Sequence, residues 1–151
     1  MNPLFSTHVD RAPILFASLT QSPKLPVRKS GLGRKKGIYI FYEGYTAVHV
    51  GRTRNIRQRL TAHCTANHNS ASFAFKRARR ELNQITTYNV TTSRAMLQKD
   101  EIFGPCFQLH VQAVAEMEVQ FVEVVDPIDQ YLLELYAALE LNLPTDEFDT
   151  H

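Results

Sequence analysis

Cysteine is scarce in this chain, and long apolar runs are absent. The 151 residues include two cysteines, Cys64 and Cys106, too few for a disulfide framework and not in zinc-knuckle spacing. No apolar run approaches the roughly 20 residues that a membrane-spanning helix needs. The first residues do not show the charged-then-apolar pattern of a signal peptide. We therefore expect a cytoplasmic protein with reduced thiols and no membrane partner.

Acidic residues are nearly absent from residues 24–80. This stretch contains 14 of the 17 lysines and arginines and one acid, Glu43. Residues 81–151 contain 13 acids and only Arg94 and Lys99 as basic residues. A basic surface of this kind binds a phosphate backbone through counterion release, which favours a nucleic-acid partner. The alternative is that the basic and acidic halves pair with each other within the fold.

The length and composition predict one compact domain. The chain is 44% hydrophobic and 21% charged, as is usual for a globular domain of this size. Residues 1–20 contain an amphipathic segment that predicts a helix. Residues 21–36 are rich in proline, glycine and basic side chains, which is typical of a connector. We therefore divide the chain into an N-terminal helix with a basic connector, residues 1–36, and a main domain, residues 37–151.

The main domain begins with two β-type runs, "GIYIFY" and "YTAVHV", whose separation by "EG" predicts a hairpin. A third strand is predicted at residues 117–125, and a last helix is predicted to begin at Pro127 with Asp126 as its cap. Residues 84–91 are ambiguous. The other helices are predicted at residues 54–65, from an N-cap at Ser70 or Ser72 through residue 82, at 93–103 up to a break at Gly104-Pro105, and at 107–116. This order predicts an α+β fold, a small sheet with helices packed on it.

Several short motifs occur in order along the main domain. "GIY" at residues 37–39 is followed ten residues later by "HVG" at residues 49–51. The motifs that follow are Arg59 and His63 at (i, i+4) on one helix face, "HNSASFAF" from His68, and an apolar helix "YLLELYAAL" with one carboxylate, Glu134. This set resembles the GIY-YIG nuclease family, and more closely its small stand-alone bacterial proteins, over residues 37–151.

The resemblance implies both a fold and an activity. The fold is a small three-stranded antiparallel sheet flanked by helices. The activity is hydrolysis of DNA phosphodiester bonds by an endonuclease that uses one divalent metal ion. One hard carboxylate that leaves water ligands on the ion suits Mg²⁺ or Mn²⁺ and does not suit zinc.

The resemblance also implies roles for individual residues. The catalytic positions are Tyr39, His49, Arg59, His63 and His68. Glu134 matches the metal-binding glutamate, and the supporting positions are Gly37, Gly51 and Asp146. Contacts with the nucleic-acid backbone are expected from the neighbouring basic side chains Arg52, Arg54, Arg57, Lys76, Arg77, Arg79 and Arg80.

These residue types fit phosphodiester hydrolysis. A metal ion on a phosphate oxygen neutralises developing charge and activates water or the leaving group. Arg59 would clamp the phosphoryl oxygens. Tyr39 would accept the proton of the attacking water, and His63 or His49 would assist it. Because an ordinary tyrosine pKa of about 10 is too high for a base near neutrality, the metal and Arg59 would have to favour the ionised phenol.

Two positions depart from the family pattern. His49 stands where the second motif usually has tyrosine, and Asp146 stands where many members have asparagine. Histidine can donate or accept a proton near neutral pH, so activity can survive the first exchange. The alternatives are a nucleic-acid-binding module that kept the fold and lost efficient catalysis, and a protein-interaction domain whose basic half binds an acidic partner. DNA bound with little sequence preference is the expected partner, and RNA stays open.

Joint action by Tyr39 and His49 requires that both side chains lie on one face of the sheet. Neighbouring residues of a strand point to opposite faces. A two-residue loop at Glu43-Gly44 would place Tyr39 opposite Val48 and turn His49 to the other face. We therefore predict an odd-length loop or a bulge in this hairpin.

Glu134 is the only charged side chain in an otherwise apolar stretch of helix. An unpaired buried carboxylate is very unfavourable. Glu134 must therefore either reach solvent or have a cation as its partner, and the resemblance favours a metal ion.

Overall fold

The computed structural model describes residues 1–83 and 93–144. The helices are α1 (Pro3–Gln21), α2 (Ile56–His63), α3 (Ser72–Glu81), α4 (Arg94–Lys99), α5 (Phe103–Ala115) and α6 (Pro127–Glu140). The strands are β1 (Leu25–Pro26), β2 (Gly37–Glu43), β3 (Thr46–Thr53) and β4 (Glu118–Glu123). Within these described ranges, no helix has the length and apolar character needed to cross a membrane. Asp146 and the ambiguous residues 84–91 lie outside the described residues.

The four strands form one antiparallel sheet in the order β1-β4-β2-β3. The predicted α+β class, a small antiparallel sheet flanked by helices, is confirmed, but the predicted number of three strands is wrong. The additional strand is β1, which lies in the segment predicted as a connector and places Leu25 opposite Val119 of β4. A two-residue strand that contains a proline can occur only at a sheet edge, so its own residues give little indication of pairing.

Strand β2 is buried on both of its faces. The side chains of Ile38 and Ile40 project from one face and pack with apolar side chains of α6 that include Leu133. The side chains of Tyr39 and Phe41 alternate with them, project from the opposite face and are also fully buried. Burial on both faces explains why this strand has a continuous apolar run and not an alternating pattern.

The chain folds into two compact units. Of the described residues, the first unit comprises 1–58 and 117–144, and it contains the sheet, α1 and α6. The second unit comprises the described residues 59–83 and 93–116, whose regular structure is helical. Residues 1–36, predicted as a separate N-terminal piece, lie in the first unit with the sheet.

Two predicted helix boundaries are wrong. The N-cap of α3 is Ala71, which makes no side-chain hydrogen bond, so neither Ser70 nor Ser72 caps this helix. Gly104-Pro105 does not end a helix but lies in the first turn of α5. A proline is tolerated there because its missing N–H would have no helical partner.

Helix α6 begins as predicted, at Pro127. Asp126 caps it, because its Oδ1 accepts hydrogen bonds from the backbone N–H groups of Ile128 at 2.8 Å and Asp129 at 3.1 Å. These bonds satisfy donors that a helix N-terminus otherwise leaves without partners.

Helix α1 is attached to α6 through the side chain of Asp129. His8 Nδ1 lies 2.6 Å from Asp129 Oδ1, and Arg11 Nη1 donates to Asp129 Oδ2 at 3.3 Å. Both His8 and Asp129 are buried. The first residues after the Asp126 cap therefore also anchor the N-terminal helix.

We expect Asp126→Asn to remove an acid-sensitive contribution to folding stability. A hydrogen bond from the Asp129 N–H, aided by nearby His8 and Arg11, holds the pKa of Asp126 below its usual value. A carboxyl group whose pKa is lower in the folded state stabilises the fold at pH values above its unfolded pKa of about 3.9. This contribution disappears as the pH falls through the folded pKa. Asparagine keeps the capping oxygen but does not titrate.

Thermal denaturation between about pH 5 and pH 2 measures this contribution. The difference in Tm between the wild type and Asp126→Asn should shrink on acidification. Glu140→Gln, at an exposed position at the end of the same helix, is the control. A difference that stays constant over this range would show that the Asp126 charge does not stabilise the fold.

Candidate functional site

The hairpin places Tyr39 and His49 on the same face of the sheet. Tyr39 pairs with Gly51, Phe41 pairs with His49, and the register then shifts through a bulge before Tyr42. The ring centroids of Tyr39 and His49 lie 5.7 Å apart. The predicted bulge is therefore confirmed, and the two side chains are diagonal neighbours across the strand pair.

The Tyr39 ring occupies the space beside Gly51. A Cβ atom added to Gly51 would lie 2.4 Å from the Tyr39 Oη and 2.5 Å from its Cζ. Real Cβ atoms do not approach other atoms so closely, so the ring could not stay where it is. The glycine of "HVG" is thus a steric requirement of the tyrosine of "GIY".

Tyr39 and His63 differ from the other predicted catalytic side chains in their exposure. Both have a relative exposure of 0%, whereas His49, Arg59 and His68 are partly exposed. In this conformation water cannot reach the Tyr39 phenol. Its role as a general base therefore stays a prediction and requires a movement that admits water.

Glu134 has a cation as its partner. Its Oε2 lies 3.2 Å from Arg52 Nε, with the Glu134 side chain 19% exposed and that of Arg52 37% exposed. The Arg52 guanidinium also stacks on the Tyr131 ring, 3.8 Å from its centroid. Arg52, predicted as a contact for nucleic acid, is thus bound to α6 through a carboxylate and an aromatic ring.

The register of β2 and β3 separates Tyr39 and Gly51 from Arg52 and Glu134. Arg52 pairs with Ile38, whose side chain faces α6. Gly51 pairs with Tyr39, whose side chain projects from the opposite face. A cation held by Glu134 would therefore lie beside the edge strand β3, on the side that carries α6.

The second unit contains the remaining predicted catalytic residues. Arg59 Nη2 donates to Ser72 Oγ at 3.2 Å. The Gln98 side-chain oxygen accepts hydrogen bonds from the backbone N–H and the Nδ1 of His68. A neutral His68 then has its lone pair on Nε2, as a proton acceptor requires.

The predicted backbone contacts fall into two groups. Arg54, Arg57 and Arg80 are exposed, as a phosphate contact requires. Arg77 and Arg79 are half-buried and lie over the rings of Phe73 and Phe75. Burial and the nearby Arg94 lower the pKa of Arg79. The side chains of Arg77 and Arg79 therefore support packing within α3. Lys76, on the same helix, is also half-buried.

Two features of the second unit were not predicted. Arg94, which lies outside the basic segment of residues 24–80, stacks on the Phe75 ring at 4.6 Å from its centroid. Cys106, predicted only as a reduced thiol, donates to Glu81 Oε2 at 3.1 Å. Burial, with Glu81 as a further cause, raises the pKa of Cys106 to about 11, so the thiol is protonated near neutrality and is not a nucleophile.

Comparison of the chain with protein families, with curated proteins and with solved structures finds no match. The function must therefore be inferred from the residues and their geometry.

We expect Gly51→Ala to destabilise the protein by about 1–3 kcal/mol, the usual range for overpacking. The reason is the overlap between the new methyl group and the Tyr39 ring. Gly33→Ala is the matched control, because a Cβ atom on Gly33 would meet no atom within 4 Å.

Urea denaturation of the single variants and of Gly51→Ala with Tyr39→Leu measures the coupling between the two positions. The alanine substitution should be less harmful once the aromatic ring is gone. Equal destabilisation in both backgrounds would show that Tyr39 does not require the glycine.

Proposed function

We propose that the protein is a metal-dependent endonuclease of the GIY-YIG type that hydrolyses DNA phosphodiester bonds. The observation that carries this proposal is the β2–β3 hairpin. Its bulge brings Tyr39 and His49 to one face, and the Tyr39 ring needs the space left by Gly51. Strand pairing alone requires neither feature, so the two motifs are coupled through the Tyr39 side chain.

Glu134 is the residue that would hold the divalent ion. Its carboxylate already lies against the Arg52 guanidinium and remains partly exposed, so its surroundings accept positive charge and water. Carboxylate oxygen is a hard ligand that suits Mg²⁺ or Mn²⁺. Such an ion, when bound, neutralises charge on a phosphate oxygen.

The other residues act on the phosphate and on the proton of the attacking water. Arg59 donates its guanidinium hydrogens to the phosphoryl oxygens as negative charge develops. Because Tyr39 and Glu134 lie on opposite faces of the sheet, the reaction takes place at the edge strand β3, where the Tyr39 phenol lies beside Gly51. Tyr39, once water reaches it, accepts the proton, and the neighbouring His49 relays it to solvent. His68 offers Nε2 as a second proton acceptor.

A nucleic-acid-binding module without efficient catalysis is the second candidate. The complete burial of Tyr39 and His63 favours it, because a buried side chain cannot contact substrate. The exposed arginines Arg54, Arg57 and Arg80 would suffice for binding of the phosphate backbone.

Nicking of supercoiled plasmid DNA with Mg²⁺ or Mn²⁺, against a chelator, tests the first candidate. We expect metal-dependent nicking by the wild type. Glu134→Gln, Tyr39→Phe and Arg59→Ala should each reduce the rate by about 100-fold or more, since each removes a group that acts in the transition state. Glu140→Gln and Tyr45→Phe are matched controls at exposed positions and should retain the wild-type rate.

The other outcomes separate the candidates. Nicking that persists in all three site variants would refute these assignments. An absence of nicking on plasmid, branched DNA and RNA, with an affinity that falls steeply with salt, would favour the binding module.

We also expect Arg52→Gln to strengthen Mn²⁺ binding by roughly threefold to tenfold in the absence of nucleic acid. The guanidinium competes with the ion for the Glu134 carboxylate, and its partial exposure limits the effect. Electron paramagnetic resonance of free Mn²⁺ measures the affinity. Arg54→Gln is the charge-matched control, and equal strengthening in both variants would refute competition at Glu134.

A further inference from the structure

Three potential metal ligands meet at one place in the second unit. Glu81 is the last residue of α3, and Cys106 and His110 lie one turn apart on α5. Glu81 Oε2 lies 2.6 Å from His110 Nε2 and 3.1 Å from Cys106 Sγ. All three ligand atoms lie within 4.8 Å of one another, so the side chains converge without any change in the backbone.

The helices that carry these ligands are held together by aromatic packing. Phe75 of α3 contacts Phe103 and Phe107 of α5, with ring centroids 5.0 Å and 5.4 Å apart. All three rings are buried. Helix positions fixed in this way pre-organise the ligands, which favours binding because little order is lost when an ion enters.

We propose that Glu81, Cys106 and His110 bind a zinc ion, with water as the fourth ligand. A carboxylate, a thiolate and an imidazole form a mixed set of O, S and N donors that suits a tetrahedral, borderline-soft ion. Mg²⁺, by contrast, prefers oxygen ligands alone. The Glu81 side chain is 59% exposed and that of His110 is 18% exposed, so an ion has a path into the site and water has room to bind.

Zinc entry requires only side-chain movement. Bond lengths of about 2.0–2.3 Å place neighbouring ligand atoms of a tetrahedral zinc site about 3.3–3.7 Å apart. Glu81 and His110 must therefore separate by about 1 Å, which an exposed glutamate achieves by rotation. The thiol proton leaves to solvent as the Zn–S bond forms.

Arg77 opposes zinc binding through His110. Its Nε–H donates to His110 Nδ1 at 3.2 Å, so the neutral imidazole carries its proton on Nε2. Zinc on Nε2 shifts that proton to Nδ1, which can then no longer accept from Arg77. The guanidinium also repels the ion.

Titration of the full, reduced and metal-free chain with Co²⁺ and then Zn²⁺ tests the site. We expect one Co²⁺ to bind with thiolate-to-cobalt charge-transfer absorption that Zn²⁺ abolishes. Cys106→Ser should remove this absorption. Glu81→Gln and His110→Gln should weaken Zn²⁺ binding about tenfold or more, whereas Arg77→Gln should strengthen it.

Two controls localise the ion. Cys64→Ser changes the other cysteine, and His8→Gln changes the other group of three potential ligands in the described residues, His8, Asp126 and Asp129. Neither should affect the absorption. Absorption that survives Cys106→Ser, or zinc binding that depends on His8 and not on His110, overturns the proposal.

A wild-type chain that shows no charge-transfer absorption also overturns the proposal, and this result does not depend on the folding of any variant. The titration contains no nucleic acid, so its outcome is independent of the nuclease activity proposed above.

Discussion

Two-sided burial of β2 is the constraint on which the first unit depends. The strand pairs with β3 on one side and β4 on the other, and its residues from 37 to 42 are all buried. A shift of pairing by one residue would exchange the side chains that face α6, Ile38 and Ile40, with Tyr39 and Phe41. The apolar side chains of α6 therefore fix the register of the hairpin. That register in turn fixes which residues of β3 lie beside Tyr39.

The bulge reconciles a tight turn with a shared face for Tyr39 and His49. The strands are joined by Gly44 and Tyr45, and Gly44 has a positive φ of 62°, a conformation that glycine adopts without strain. Without the extra residue of a bulge, the register next to the turn would continue along the hairpin and His49 would pair with Ile40. The His49 side chain would then face α6. The bulge restores the alternation, so a local irregularity decides the composition of the candidate site.

Features that depend on local sequence were predictable, and those that depend on distant pairing were not. The hairpin and the Asp126 cap follow from residues close together in the chain, and the bulge was predicted from the requirement that Tyr39 and His49 share one face. Strand β1 forms only because residues near 119 reach it. The apolar surroundings of Glu134 indicate that it needs a cation or solvent, but they do not indicate which of the 17 lysines and arginines supplies the cation. Likewise, the spacing of Cys106 and His110 is visible in the sequence, whereas the approach of Glu81 depends on how α3 packs against α5.

The pairing of Arg52 with Glu134 links metal binding to nucleic-acid binding under the proposed function. A carboxylate that binds a divalent ion gives up part of its attraction for the guanidinium, because the ion carries twice the charge at a shorter distance. Arg52 would then keep its stacking on Tyr131 while its hydrogen-bond donors became available to a phosphate. The metal would thus increase the affinity for the nucleic-acid backbone through the protein, in addition to any direct contact with phosphate. By linkage, bound nucleic acid would increase the affinity of Glu134 for the metal by the same factor.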